Sequence, residues 1–299
     1  MKPLLKLQTG DSIAIVATAR KITEQELQPA IELLESWGLK IVFSPHLFAT
    51  DHQFAGTDQI RANDLQWAIN RPEIKAIMVA RGGYGTSRII DKVDFSPLQQ
   101  SFKWIIGYSD ITVLHQRLAM MEIPSLHATM PISIPNNDNE TLKHLKTILF
   151  SGKAPSYNFN THKLNKAGLA EGLLIGGNLS VIYHLRGTRY DLDVSGKILF
   201  LEDLDEYLYH IDRMLQNFKL SGWFDSLAGL LIGDMPDMHD NTVPFGRNAQ
   251  EIVAEQTRDY PFPVAFVSGL GHGSRNLPLI LNHRVEMNIT VDSCNMKWI

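Results

Sequence analysis

The chain has 299 residues, 44% of them hydrophobic and 20% charged, with a formal net charge of −4. That balance fits a soluble globular protein with a full core, built as one large α/β domain or two moderate ones. No block of Lys or Arg suits a nucleic acid or an anionic membrane, and the single cysteine, Cys294, excludes an internal disulfide and a C-x-x-C zinc pair.

The opening stretch, MKPLLKLQTGDSIAIVATAR, has only a two-leucine apolar patch before polar residues interrupt it. This is too short for a signal-peptide core, and no apolar run of about 18 residues follows, so a cytoplasmic protein is expected. SIAIVA, residues 12–17, is a continuous apolar run of strand length. ITEQELQPAIELLESWG then sets Ile22, Leu27, Ile31, Leu34 and Trp37 near a helical period, with Gly38 as its stop. Pro29 inside this segment predicts a kink or a late helix start. LKIVFSP reads as a second strand, and residues 57–70 as a second helix with Thr57 as N-cap. IKAIMVA (74–80) and KWIIG follow as further buried strands.

Unbroken apolar strands alternating with helices predict a parallel sheet covered on both faces. In such sheets sites form at the carboxyl ends of strands. Two glycine-bearing turns fall there: RGGYGTSR at 81–88 and GYSD at 107–110. From about residue 151 the texture changes. SGKAPSYNFNTHKLNK is polar and aperiodic, and 151–166 reads as a linker between an N-terminal α/β domain (1–150) and a smaller C-terminal β-rich α+β domain (167–299).

Ser109 stands where a strand hands over to a helix. A serine hydroxyl needs a base and an oxyanion hole to act as a nucleophile, and a strand–turn–helix placement exposes it beside the N–H groups of the first helical turn. The alternative is a plain helix cap, and G-Y-S-D-I lacks the second glycine of G-x-S-x-G. The cluster Arg81-Gly82-Gly83-Tyr84-Gly85 is either a structural turn or a functional loop, with Gly83 as a second oxyanion N–H donor. Glu202 ends the apolar run ILFLE, where a carboxylate is costly unless paired or used. Asp203, Asp205 and Glu206 could each be the acid instead, or could complement the dipole of the following helix. Of eleven histidines, His272 lies in a loop between Gly271 and Gly273; His115, His127, His184 and His210 have helical or apolar settings. No pair has H-E-x-x-H spacing, so no zinc site is expected; no metal and no cofactor are expected.

Together ARGGYGTSRII, GYSDIT, GLLIGGNLSVI, GTRYDLDVSGKILFLEDLDEYLYHIDRML, LAGLLIGD and GLGHG resemble, in order and spacing, the LD-carboxypeptidases, serine peptidases of murein tetrapeptide recycling. The resemblance runs through nearly the whole chain. It implies a Ser–His–Glu triad of Ser109, His272 and Glu202, with backbone N–H groups of Gly83 and Asp110 as the oxyanion hole. It implies a fold of an N-terminal parallel α/β domain, related to class I glutamine amidotransferases, plus a β-rich C-terminal domain, commonly dimeric. It also implies a muropeptide substrate, with loss of terminal D-alanine from a tetrapeptide. Arg81 is then the expected clamp for the terminal carboxylate, with Arg213 as competitor. Two segments depart from the family pattern: ATAR replaces a proline-serine turn after the first strand, and SLHATMP replaces a His-Gly-Pro string. Rival expectations are a microcin-immunity-type peptidase that cleaves aminoacyl-nucleotide amides, and a catalytically silent peptide- or sugar-binding module.

Overall fold

The computed structural model describes residues 4–290 and 292–299. The chain divides into two units, Met1–Ala154 with Asn276–Ile280, and Pro155–Arg275 with Leu281–Ile299. The first carries β1 (Ser12–Val16), α1 (Glu24–Ser36), β2 (Lys40–Phe43), α2 (Asp58–Asn70), β3 (Ile74–Val79), α3 (Pro97–Gln100), β4 (Trp104–Gly107), α4 (Thr112–Ala119), β5 (Ser125–His127) and α5 (Asn139–Ser151). The second carries β6 (Ser156–Asn160), β7 (Gly168–Asn178), α6 (Leu179–Leu185), β8 (Ile198–Glu202), α7 (Leu208–Leu220), β9 (Gly229–Ile232), α8 (Ala249–Gln256) and β10 (Val264–Phe266). After β11 (Leu279–Leu281), the chain closes with β12 (His283–Ile289) and β13 (Ser293–Trp298).

The first sheet has the order β11-β5-β4-β3-β1-β2, and β5, β4, β3, β1 and β2 pair in parallel. Every residue of β4 is buried, as are nearly all of β1 and β3, so the sheet is covered on both faces, as unbroken apolar strands require. Thr57 caps α2 as expected, its side chain accepting from the Ile60 N–H. Helix α1 does not start late. A reciprocal capping box between Thr23 and Glu26 sets its first turn, and Pro29 lies well inside it. The buried Lys103 donates to the carbonyls of Ala68 and Arg71 at the end of α2, which ties that helix to the root of β4. Burial pushes its amine down to about 8.

The second sheet has the order β10-β9-β8-β7-β12-β13-β6. Strands β10, β9, β8 and β7 pair in parallel with one another, whereas β12 pairs antiparallel with β7 and β13, and β13 with β6. Helix α7 buries Ile211, Met214, Leu215 and Phe218, a single apolar stripe at helical spacing.

Two expectations are corrected here. The stretch read as a linker contains β6, in which Tyr157 and Phe159 are buried while Ser156, Asn158 and Asn160 are exposed. That alternation is the strand period, carried by only two apolar side chains among polar ones, so composition concealed it. The C-terminal tail does not all belong to the second unit, because Asn276–Ile280 return to the first and β11 joins the first sheet. Such a long-range pairing has no local sequence signal.

Candidate active site

In unit 1 the parallel register brings the carboxyl ends of β1, β3 and β4 to one edge. Ser109 follows β4 by two residues and has φ 63°, in the left-handed region that non-glycine residues enter at a cost of about 1–2 kcal/mol. The serine does not cap a helix. Tyr108 is the N-cap of the short 3-10 turn Ser109–Ile111, Ile111 is the N-cap of α4, and neither end has a side-chain cap. A strained, half-buried residue that supplies no cap fits a tight strand-to-helix elbow.

The elbow is held from below by His115. Its Nε2 lies 2.9 Å from the Gly107 carbonyl and its Nδ1 lies 2.8 Å from Ser125 Oγ. A carbonyl only accepts, so Nε2 carries the proton and Nδ1 accepts from the serine hydroxyl. Burial, with a smaller effect from His127, pushes this imidazole down to about 3, so it is neutral. His127 itself is fully buried in β5, its ring 5.9 Å from that of Tyr108.

The glycine loop lies against the elbow. A Cβ placed on Gly82 would come within 3.1 Å of Ser109 Cβ and 3.2 Å of its Oγ. The Asp110 carboxylate accepts the Thr86 N–H at 2.9 Å, and the Thr86 hydroxyl pairs with that of Thr18 at 2.8 Å. Arg61, on α2 and 1% exposed, donates to the carbonyls of Thr18 and Gly85 and pairs with Asp58. One buried guanidinium therefore holds the loops after β1 and β3 together. Sequence reasoning missed Arg61, because an arginine within a helix is a surface residue by default. Gly83 has φ 109°, and its N–H meets no acceptor among the described residues.

In unit 2 the carboxyl ends of β8, β9 and β10 likewise share an edge. Glu202 ends β8 fully buried, and its Oε2 lies 2.6 Å from Nδ1 of His272. A carboxylate only accepts, so Nδ1 carries a proton and, in the neutral ring, Nε2 keeps the lone pair. Burial works to lower the His272 pKa, but the charge of Glu202 and the hydrogen bond to it outweigh this, and the net shift is upward. Asp234 holds the loop that carries the imidazole, accepting the N–H groups of Gly269 at 2.9 Å and Leu270 at 3.0 Å. Asp203, beside Glu202, accepts from Asn178 Nδ2 and from the Ser180 and Leu204 N–H groups. Burial and then the neighbouring Glu202 charge push it up to about 7.

The other candidate acids go elsewhere: Asp205 meets His239 and Glu206 meets His210, each at 2.5 Å. Of the candidate clamps, Arg81 in unit 1 lies 3.6 Å from Glu26 and donates to the Lys21 carbonyl, while Arg213 in unit 2 lies over the Tyr209 ring. The structure brings Glu202 and His272 together within unit 2, and Ser109, Asp110, Gly83 and Arg81 are all in unit 1. Among the described residues no group of acidic, histidine and cysteine side chains suits a metal ion, and no helix is long and apolar enough to cross a membrane.

The LD-carboxypeptidase N-terminal domain matches residues 13–128 and the LD-carboxypeptidase C-terminal domain matches residues 171–287. The chain belongs to the LD-carboxypeptidase family. Within the family it is 32% identical to a probable murein peptide carboxypeptidase of Bacillus subtilis, over 94% of this chain and 90% of that one. It is 30% identical to the murein tetrapeptide carboxypeptidase of Pseudomonas aeruginosa, over 88% of this chain and 89% of that one. The crystal structure of a muramoyltetrapeptide carboxypeptidase from Oxalobacter formigenes superposes with a TM-score of 0.86 at 27% identity, covering 96% of this chain and 98% of that one. The microcin C7 self-immunity protein of Escherichia coli is 25% identical over 77% of this chain and 78% of that one.

Proposed function

We propose that this chain is a serine-type carboxypeptidase that removes the terminal D-alanine of murein tetrapeptides and leaves the tripeptide. The observation that carries the reading is the buried Glu202–His272 pair at 2.6 Å, which leaves Nε2 as a base, in a chain that also holds Ser109 strained and uncapped. A serine hydroxyl needs a base to act as a nucleophile, and a neutral imidazole oriented by a carboxylate is such a base.

In the proposed reaction His272 Nε2 takes the Ser109 proton as Oγ attacks the carbonyl of the penultimate, L-configured diamino acid. Glu202 stabilises the imidazolium that forms and keeps its own proton-free state. The N–H groups of Gly83 and Asp110 receive the charge that develops on the carbonyl oxygen. The imidazolium then protonates the departing D-alanine amine, and water activated by His272 hydrolyses the acyl-enzyme. No cofactor takes part. Arg81, expected from the sequence as the clamp for the terminal carboxylate, already lies close to Glu26. A cytoplasmic location and a homodimer belong to the same proposal, the homodimer resting on the resemblance.

The aminoacyl-nucleotide peptidase reading has weaker support, since identity to the self-immunity protein is 25% against 30–32% for the murein carboxypeptidases above. A silent binding module would have no use for a strained serine or a buried acid–imidazole pair. Incubation of the purified chain with a tetrapeptide, followed by mass spectrometry, tests the proposal. Loss of one alanine residue by the wild type, and not by Ser109→Ala, is expected; an unchanged mass with wild type would overturn it.

A further inference from the structure

A carboxypeptidase differs from an endopeptidase in one chemical respect: it must recognise the free carboxylate of the residue it releases. That carboxylate carbon is three covalent bonds from the attacked carbonyl carbon, and so at most about 4 Å from it. The group that binds it must therefore stand within one side-chain length of the oxyanion donors. Only the neighbours of Gly83 and Ser109 meet that condition.

Glycines 82 and 83 form the shared wall. Gly82 faces Ser109, with an added Cβ only 3.2 Å from Oγ. Gly83 faces Arg20 instead: a Cβ there would meet Arg20 Cδ at 2.6 Å, Cγ at 2.8 Å and Nε at 2.9 Å. The loop thus has the nucleophile against one residue and a guanidinium stem against the next. Glycine at 83 is what lets the arginine lie this close.

The backbone under Arg20 is fixed. Ala55 N–H donates to the Ala19 carbonyl at 3.1 Å, Lys21 N–H donates to the Gln53 carbonyl at 3.0 Å, and Arg20 itself bridges to Phe54. Arg61 holds the Thr18 carbonyl from the other side. The side chain, by contrast, is exposed, and among the described residues its guanidinium makes no hydrogen bond, ion pair or ring contact. Its neighbours are committed: Arg61 and Arg88 pair with Asp58, and Arg81 lies by Glu26. A charge that no protein group answers, on a rigid backbone beside the oxyanion donor, fits a planar carboxylate from the substrate. Arg20 also lies in ATAR, the stretch where this chain departs from the proline-serine turn of its family.

We propose that Arg20 is the residue that binds the terminal carboxylate of the peptide, and so makes this enzyme specific for chain ends. The proposal rests on the tetrapeptide reading above. Its test compares kcat/KM for a tetrapeptide with a free terminal carboxylate and for the same peptide with a terminal amide, in wild type, Arg20→Ala, Arg20→Lys and Arg81→Ala. Wild type should prefer the acid by about tenfold to a hundredfold, the range for one charge-assisted contact. Arg20→Ala should bring the acid-to-amide ratio close to one, Arg20→Lys should restore part of it, and Arg81→Ala should keep most of it. A wild-type ratio retained in Arg20→Ala, or lost in Arg81→Ala instead, would overturn the assignment while leaving the tetrapeptide reading intact. Failure of the wild type to cleave either peptide would overturn both.

Discussion

Gly271 stands so close to Glu202 that no side chain fits between them. A Cβ on Gly271 would lie 2.7 Å from Glu202 Oε2 and 3.0 Å from its Cβ, and the residue has φ 118°. The same Oε2 accepts from the His272 ring. The glycine before the imidazole is thus part of the geometry that brings acid and base together.

Gly271→Ala should accordingly cost both stability and rate. The backbone strain is worth about 1–3 kcal/mol, which a lowered melting temperature would register. Displacement of the carboxylate or the ring by about 1 Å should lower kcat about a hundredfold with a smaller change in KM. Wild-type kcat in a folded Gly271→Ala protein would show that the pair is not used in catalysis.

Ser109 offers a separation of stability from activity. Glycine accepts φ 63° without penalty, so Ser109→Gly should be more stable than Ser109→Ala by about 1 kcal/mol in urea unfolding. Both variants should lose kcat by several orders of magnitude, on the scale of about 10⁴–10⁶ seen when triads are broken. Equal stability of the two variants would argue that the elbow relaxes once the hydroxyl is gone.

The pH profile of kcat/KM should report His272. Its raised pKa means that the neutral base is lost as pH falls through a value above the usual imidazole range, so activity should rise with pH across that limb. In Glu202→Gln the raising charge is gone while burial remains, and the acid limb should move below the ordinary 6.5. The variant should also lose about 10³- to 10⁴-fold in kcat, as when a triad carboxylate is neutralised. An acid limb that stays in place would assign it to another group. In stability terms the sign is set by the same shift: a raised histidine pKa stabilises the fold fully below the unfolded value, and that contribution is lost as pH rises through the folded one.

His115 acts in the opposite sense. It is held neutral, down at about 3 against the ordinary 6.5, so its contribution is complete above 6.5 and declines as pH falls through the window down to about 3. Each pH unit inside that window removes about 1.4 kcal/mol, or about 2 kcal/mol by pH 5. Urea unfolding of wild type and His115→Asn at pH 7 and pH 5 isolates this term from that of His272. The variant should be less stable at pH 7 and lose less on acidification; parallel losses would refute the assignment.

Local pattern announced much of this protein. The buried strands β1, β3 and β4 are apolar runs whose period needs no partner to be read, and Thr57 caps α2 from its own neighbourhood. Ser109, Glu202 and His272 were legible as candidates, since each ends or follows an apolar strand in a chain whose spaced motifs resemble one family. Strand β6 was not, because its two apolar residues gain meaning only when β13 lies beside them. The place of β11 in the first sheet, and of Arg61 beneath two loops, depends on residues far apart in the chain.

By itself, then, the sequence determined the elements with strong periodicity and the chemical identity of the candidate nucleophile, acid and base. Tertiary structure decided that Glu202, which the resemblance implied among four neighbouring acids, meets the imidazole, that Ser109 is an elbow and not a cap, and that Arg20 beside Gly83 has no protein partner among the described residues. The physical reason is common to all three. A carboxylate, a hydroxyl or a guanidinium is defined by its type, but its proton affinity and its partner are set by burial and by distances of a few ångströms across strands, which no local window of residues contains.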